Sequence, residues 1–171
     1  MNQGGSAGLS CMEIIQRAQQ PYAGIREPVT METIGRIADR LPELFAWLGK
    51  QGVEPSDAPF FRYWVIDMDR ELDVEVGVPV AEAIPGDGDI VAGTLPAGRF
   101  VTTTHIGHPD ELIDATSRLL DWADEQGVRW DVQETPQGDA WGCRLEIYRT
   151  DPAVEPDMSR WETDLVFRLS D

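Results

Sequence analysis

Apolar residues in this chain recur with two different spacings, and both patterns occur twice. Upstream of residues 47–53 and 122–128, which share the pattern Trp-x-x-x-Gln-Gly-Val, apolar positions repeat every three or four residues. That interval is typical of an amphipathic helix. Other stretches alternate apolar and polar residues, as strands with one buried face do. The pattern therefore predicts an internal duplication with one main helix in each copy.

Residues that favour helix ends support both predicted helices. Thr30 can cap the first helix, and Pro109 suits the first turn of the second. Gly52 and Gly127 are placed to end the two helices in the left-handed conformation. Pro42 lies inside the first helical pattern, where a proline costs about 3 kcal/mol. We therefore expect a kink at Pro42 or a first helix that begins later.

Extended runs surround the two helices in the same order. One run precedes each helix and two follow it. The runs are 13–26, 60–69 and 72–83 in the first copy, and 90–106, 141–149 and 161–169 in the second. Gln20-Pro21 and Pro96-Ala97-Gly98 indicate that the leading strands are broken. The predicted fold class is α+β, with two pseudo-symmetric strand-helix-strand-strand modules whose antiparallel sheets surround a central ligand cleft.

The two copies are expected to pack as one domain. A chain of 171 residues fits a single domain of ordinary size. A three-stranded sheet with one helix leaves a strand edge and an apolar face, and a second copy can cover both. We predict a flexible tail at residues 1–11 and one domain at residues 12–171, with repeat halves of about 12–84 and 89–171.

Composition and charge narrow the possible partners. The net charge of −17 repels phosphate backbones and anionic lipids, and no Lys/Arg patch offsets it, so direct nucleic-acid binding is not expected. No apolar run approaches the ~20 residues of a membrane-spanning helix. The first ten residues lack the features of a secretory signal. We therefore expect a cytoplasmic protein with no membrane contact.

Neither a metal nor a cofactor is expected. His105 and His108 lack a third ligand at a useful spacing. The glycine-rich segment 84–89 lacks the Lys-Ser/Thr pair and the following helix of a phosphate loop. An acyl-transfer serine is also not indicated, because no Gly-x-Ser-x-Gly motif is present.

Strand periodicity assigns Glu146 and Tyr148 to one face and Leu145 and Ile147 to the other. We assign the apolar pair to the core beneath the helices, which places Glu146 and Tyr148 in the cleft on the opposite face. The same argument leaves Glu75 on the cleft face of a first-half strand. A carboxylate near aromatic rings suits a planar cation, because the charge and the ring faces both attract it.

Four aromatic residues are further candidates for lining the cleft. Trp64 aligns with Glu146 when the two copies are matched, and Tyr63 would then face the helix, so we favour Trp64 slightly over Tyr63. Phe100 belongs either to the cleft or to the core. Trp141 lies beside a loop, where it could act as a lid or a plug. Core packing is the ordinary role of such residues.

Four short motifs resemble the GyrI-like, or AraC-type effector-binding, domain family. They are Gly77-Val78-Pro79-Val80, Leu95-Pro96-Ala97-Gly98-Arg99-Phe100, His105-Ile106-Gly107 and Leu145-Glu146-Ile147-Tyr148-Arg149-Thr150-Asp151-Pro152. The resemblance spans nearly the whole chain after the tail, and it implies two modules that face each other across a cleft. In that family a glutamate of a Glu-x-Tyr strand often meets cationic drugs, and the matching residues are Glu146 and Tyr148. A stand-alone binding protein is expected, because no helix-turn-helix precedes Met12.

The residues and the family resemblance together favour two possible functions. The first is multidrug-type binding of small hydrophobic, aromatic and cationic compounds, with Glu146 as the charge complement. The second is hydrolysis of cyclopropane-containing natural products, to which some stand-alone relatives are similar. Glu146 would then be the general base, and Tyr148 would stabilise developing charge. A third possibility, inhibition of gyrase, follows from the family name alone.

Overall fold

The computed structural model describes residues 11–171, so the predicted tail lies outside the described residues except for Cys11. Strands make up most of the regular secondary structure, and short 3-10 turns at Pro109–Glu111 and Met158–Arg160 precede α3 and β10. The elements are β1 Glu13–Arg17, β2 Gln20–Val29, α1 Gly35–Ala38, α2 Leu41–Lys50, β3 Phe60–Ile66, β4 Leu72–Pro79, β5 Val91–Leu95, β6 Gly98–Ile106, α3 Leu112–Glu125, β7 Val132–Thr135, β8 Gly138–Trp141, β9 Arg144–Tyr148 and β10 Glu162–Arg168.

The sheet confirms the predicted α+β fold and its pseudo-symmetry. Its strand order is β1-β6-β10-β9-β3-β4-β2-β5, and the pairs are antiparallel. The triplet β6-β10-β9 of the second copy mirrors the triplet β2-β4-β3 of the first. Each copy is a strand-helix-strand-strand module, and β3 meets β9 at the pseudo-twofold axis.

Both leading strands are broken, and the first piece of each crosses to the other copy. The breaks lie at residues 18–19, just before the Gln20-Pro21 pair, and at residues 96–97. As a result β1 pairs with β6 of the second copy, and β5 pairs with β2 of the first. Each copy therefore supplies the edge strand of its counterpart.

The helix boundaries follow the sequence signals closely. α1 ends at Ala38 and α2 begins at Leu41, with Pro42 in its first turn, where proline removes no intrahelical hydrogen bond. The later start is therefore confirmed. Thr30 caps the turn before α1, because its Oγ1 accepts a hydrogen bond from the Thr33 amide at 3.2 Å. Gly52 and Gly127 have φ angles of 69° and 70°, as the predicted left-handed stops require.

Both faces of the sheet are buried, and this overturns one prediction. α1 and α2 pack on Val74 and Val76, whereas α3 packs on Val101 and Leu165. The other face has its own core, in which residues from β2, β5 and β6 meet residues from β3 and β9. In the strand order, β2 and β5 lie at one end of the sheet and β6 lies near the other, so their meeting in one core shows that the sheet curls and that this face is concave.

Leu145 and Ile147 line the concave core rather than the helix-packed core, so their predicted assignment was wrong. Glu146 and Tyr148 consequently lie on the side of the helices. The physical reason is the curl, since a curled sheet needs an apolar lining on both of its faces. Alternation along a strand separates the two faces without indicating which face the helices cover.

The hairpin β7–β8 was not predicted. β7 is mostly exposed, β8 is only partly buried, and both are rich in polar residues, so they lack the alternation that marks a half-buried strand. The predicted run 141–149 is split as a result, with Trp141 ending β8 and Arg144 beginning β9. Within residues 11–171, none of the helices combines the length and the apolar character that crossing a membrane requires.

Candidate functional site

A cleft of about 510 Å³ opens on the helix side of the sheet, where the two copies meet. Its floor is formed by the central strands, and its walls come from the segment around α1 and from the start of α3. The lining residues are Met31, Ile34, Tyr63, Ile66, Met68, Leu72, Pro109, Asp110, Leu112, Ile113, Thr116, Arg144 and Glu146. Most of these side chains are apolar, and the charged side chains of the floor are Glu146 and Arg144.

Glu146 reaches this position because β9 is a central strand. It lies opposite Phe61 of β3 and opposite Leu165 of β10. Its neighbour on the same face, Tyr148, packs against the clusters beneath both helical layers. The half-buried Glu146 side chain therefore projects between the two layers and lines the cleft.

Two tyrosine hydroxyls hold one oxygen of this carboxylate. Tyr63 donates a hydrogen bond to Glu146 Oε1 at 2.9 Å, and Tyr148 donates to the same atom at 2.7 Å. Among residues 11–171 no hydrogen bond to Oε2 is present. The second oxygen is therefore available to a group that enters the cleft.

Burial controls the acidity of these three groups. Desolvation raises the pKa of Glu146, and the hydrogen bonds from Tyr148 and Tyr63 and the charge of Arg144 oppose that rise. Desolvation and then the charge of Glu146 raise the pKa of both tyrosines well above 10.0. Both tyrosines therefore stay protonated at neutral pH and act as donors.

Arg144 occupies the same face of β9, two residues before Glu146. Its guanidinium lies over the Phe167 and Trp141 rings, with Cζ 4.5 Å and 4.9 Å from the two ring centroids. Burial lowers its pKa, and the charge of Glu146 partly compensates for this effect. The alternation that places Glu146 in the cleft also places Arg144 there, although sequence reasoning did not single it out.

Tyr63, and not Trp64, faces Glu146, so the slight preference for Trp64 was wrong. The register between β3 and β4 shifts between Tyr63 and Val65, which marks a β-bulge at Trp64. Matching the two copies position by position ignored this extra residue. Trp64 instead donates from Nε1 to Glu75 Oε1 at 2.9 Å on the concave side.

Three other candidates also lie outside the cleft. Glu75 is 2% exposed and accepts a hydrogen bond from the Tyr22 hydroxyl at 2.6 Å on the concave side. Phe100 belongs to the concave core. Trp141 is buried against Trp130 and Phe167 beneath α3, so it is neither a lid nor a plug. Glu75 is paired with Arg62 of β3, and paired residues point to the same face of the sheet. Both side chains therefore point to the concave face, away from the cleft.

The apolar rim was also missed by sequence reasoning. Met68 is 50% exposed and Ile113 is 63% exposed, and both border the cleft. Neither residue carries a local sequence signal, because their proximity arises from the packing of the two copies. Among residues 11–171, no group of three or more His, Cys, Asp or Glu side chains is arranged to hold a metal ion.

Comparison with known proteins adds a family match. A family model described as the GyrI-like small molecule binding domain matches residues 12–170. A search among curated proteins by sequence finds no match.

Several solved structures share the fold. EcmrR in a complex with DNA superposes with a TM-score of 0.75 at 19% identity, covering 94% of this chain and 57% of that chain. The chain thus spans little more than half the length of that protein. SAV2435 bound to tetraphenylphosphonium has a TM-score of 0.56 at 11% identity, covering 93% of each chain. A hydrolase from Listeria innocua has a TM-score of 0.63 at 16% identity, covering 96% of this chain and 94% of its own.

Proposed function

We propose that this chain, which belongs to the GyrI-like small molecule binding domain family, binds hydrophobic, aromatic and positively charged small molecules in its cleft. The observation that carries the proposal is the Glu146 carboxylate, which lines the cleft and has both tyrosine hydrogen bonds on one oxygen, so the other oxygen is left for a ligand. A partly buried carboxylate is a strong complement for a cation, because little water screens the attraction. Glu146 is the charge complement in this proposal.

The size and lining of the cleft suit such a guest. Its volume of about 510 Å³ lies within the roughly 300–1,000 Å³ of small-molecule sites. Met31 and Met68 contribute flexible side chains that can adapt to different shapes. Tyr63 is the one aromatic ring among the lining residues, so most of the apolar contact would come from aliphatic and methionine side chains.

The ligand of one structural neighbour supports the same class of compound. SAV2435 was solved with tetraphenylphosphonium, a hydrophobic cation that carries four phenyl rings. For this chain the corresponding proposal is a site that accepts bulky aromatic cations of different shapes. Its selectivity for positive charge would come from one carboxylate.

Calorimetric titration with tetraphenylphosphonium and with neutral triphenylphosphine oxide tests the proposal. Glu146→Gln is expected to weaken binding of the cation about 10- to 100-fold, because the attraction between unit charges about 6–11 Å apart contributes roughly 1.5–3 kcal/mol at an effective dielectric constant of about 20. Binding of the neutral compound is expected to change by less than about threefold. Glu134→Gln, on the exposed hairpin strand β7, is the matched control for net charge. Equal losses for both compounds, or no binding by the unaltered protein, would reject the proposal.

A second candidate, hydrolysis of cyclopropane-containing compounds, is favoured by the raised pKa of Glu146. A raised pKa makes a carboxylate a better general base near neutral pH. A hydrolase from Listeria innocua has the same fold. The test is incubation with a duocarmycin-like cyclopropane compound, followed by mass spectrometry for the product of water addition. Turnover that does not exceed the level of Glu146→Gln would rule out this candidate.

A further inference from the structure

We infer that Arg144 is a second polar anchor in the cleft, and that the preferred ligand carries an anionic or strongly accepting group beside its positive one. The inference rests on the proposed function of the same cleft and narrows its ligand class to aromatic zwitterions and cations with a strong acceptor. It differs from a site built for a simple cation, in which Glu146 alone would recognise charge.

The first support is the unused hydrogen-bonding capacity of Arg144. Among residues 11–171 its guanidinium makes no hydrogen bond and no ion pair, and Nε is buried without a partner. A guanidinium has five N–H donors, and withdrawing the Nε donor of Arg144 from water without an acceptor is unfavourable. A ligand acceptor in the cleft would satisfy donors that the protein leaves free.

The second support is the way the aromatic rings hold this side chain. Phe167 and Trp141 contact the guanidinium within 5 Å of their centroids, and the Tyr63 centroid lies 5.9 Å away. Ring faces attract the planar cation but offer no acceptor for its in-plane N–H groups. Phe167 and Trp141 are buried in the core beneath α3, so Arg144 is held in place before any ligand arrives.

The third support is the balance of charge on the cleft floor. Arg144 and Glu146 share one face of β9 and line the cleft, yet Glu146 acts on the pKa of Arg144 through its charge and not through a hydrogen bond. A simple cation would be attracted by Glu146 and repelled by Arg144. A molecule with both charges can place its cation at Glu146 Oε2 and its acceptor at Arg144, so both charged groups are complemented.

Two dyes that differ in one group test this inference by fluorescence anisotropy. Rhodamine 6G is a cationic ethyl ester, and rhodamine 19 is the same dye with a free carboxylate. The unaltered protein is expected to bind the free acid about tenfold more tightly than the ester, the ratio that one added charged hydrogen bond produces. This comparison needs no variant, so it stands even if a substitution at Arg144 impairs folding. Equal affinity, or tighter binding of the ester, would overturn the inference.

Variants then assign the effect to one side chain. Arg144→Gln is expected to abolish the preference for the free acid and to leave ester binding equal or stronger. Arg144→Lys keeps the charge but loses the forked donors, so it should retain part of the preference. Arg129→Gln, at an exposed position outside the cleft, serves as the control and should change neither affinity. If Arg144→Gln weakened both dyes by the same factor, Arg144 would be structural and the inference would be wrong.

Glu146→Gln separates this inference from the proposed function. Because both dyes carry the cation, this variant should weaken both by a similar factor. If neither dye binds, or if Glu146→Gln leaves both affinities unchanged, the proposed function fails and the inference fails with it. If Glu146→Gln weakens both dyes while the dyes bind the unaltered protein equally, only the inference about Arg144 fails.

Discussion

At the residue scale, the charge of Glu146 depends on two opposing effects. Burial raises its pKa above the ordinary value of 4.5, whereas the hydroxyls of Tyr148 and Tyr63 stabilise the ionised form and lower it. Both hydroxyls act on Oε1. The structure therefore holds a carboxylate that ionises less readily than an exposed one and keeps an unbonded oxygen for a ligand.

This balance predicts that cation binding strengthens as pH rises. A cation binds the ionised form, so affinity for tetraphenylphosphonium should increase from pH 4.5 through the raised pKa of Glu146 and then level off. Within that window, binding should release a proton, because the ligand favours ionised Glu146. Calorimetry in buffers of different ionisation enthalpy measures this proton. Affinity that stays constant across the window would contradict the prediction.

The same pKa shift predicts the opposite trend for stability without ligand. Folded protein binds the Glu146 proton more tightly than unfolded protein does, so the free energy of unfolding should fall as pH rises through this window. Glu146→Gln should remove this contribution, and the difference between variant and parent in denaturant unfolding should vary with pH. A difference that is the same at every pH would show that Glu146 is not the titrating group.

At the scale of elements, the helix ends follow local rules while strand β3 does not. The C-terminal stops at Gly52 and Gly127 were predictable, because a left-handed residue after a helix favours glycine. The bulge at Trp64 was not predictable, because nothing in the local sequence marks the extra residue. It reverses which neighbouring aromatic residue meets Glu146.

One glycine inside α2 and one just after its end allow a matched test of the helix stop. A methyl group added at Gly49 or at Gly52 would meet no atom within 4 Å, so only the backbone conformation distinguishes them. Gly52→Ala should lower the free energy of unfolding by about 1–2 kcal/mol, because alanine is strained at positive φ. Gly49→Ala, inside α2, should raise it by about 0.5–1 kcal/mol. Denaturant titration measures both, and changes of the same sign would contradict the assigned stop.

At the scale of the whole molecule, the two copies are joined by exchanged strands as well as by the β3–β9 pair. β1 completes the second copy and β5 completes the first. The cleft lies at the same boundary, with its floor on both central strands and its walls from both helical layers. Residues 12–171 are therefore expected to behave as a single cooperative unit.

Splitting the chain tests this cooperation. A cut after Glu82, which is exposed beyond the end of β4, separates β1 and β5 from the strands they pair with in the other copy. Each fragment alone should lack a cooperative unfolding transition, because an unpaired strand edge and an uncovered apolar face remain. The mixed fragments should recover the transition and bind dye. Circular dichroism measures the unfolding of each fragment. A cooperative transition in either isolated fragment would contradict the prediction that residues 12–171 unfold as a single unit.

Much of this protein follows from its sequence alone, because the relevant signals are local. The repeat of Trp-x-x-x-Gln-Gly-Val predicts two equivalent helices, and glycine conformations end them. Alternation along β9 places Glu146 and Tyr148 on one face. The resemblance of four motifs to a known family indicates the fold, and the family match over residues 12–170 agrees.

Tertiary structure alone decided where the Glu146 face of β9 points and which residues surround it. A period of two separates the faces of a strand but does not reveal which one carries the helices, and the curled sheet buries both. The bulge in β3 brings Tyr63 to Glu146. The apolar rim forms because the two copies, which are far apart in the sequence, pack against each other. These features depend on contacts between residues far apart in the chain, which no local pattern encodes.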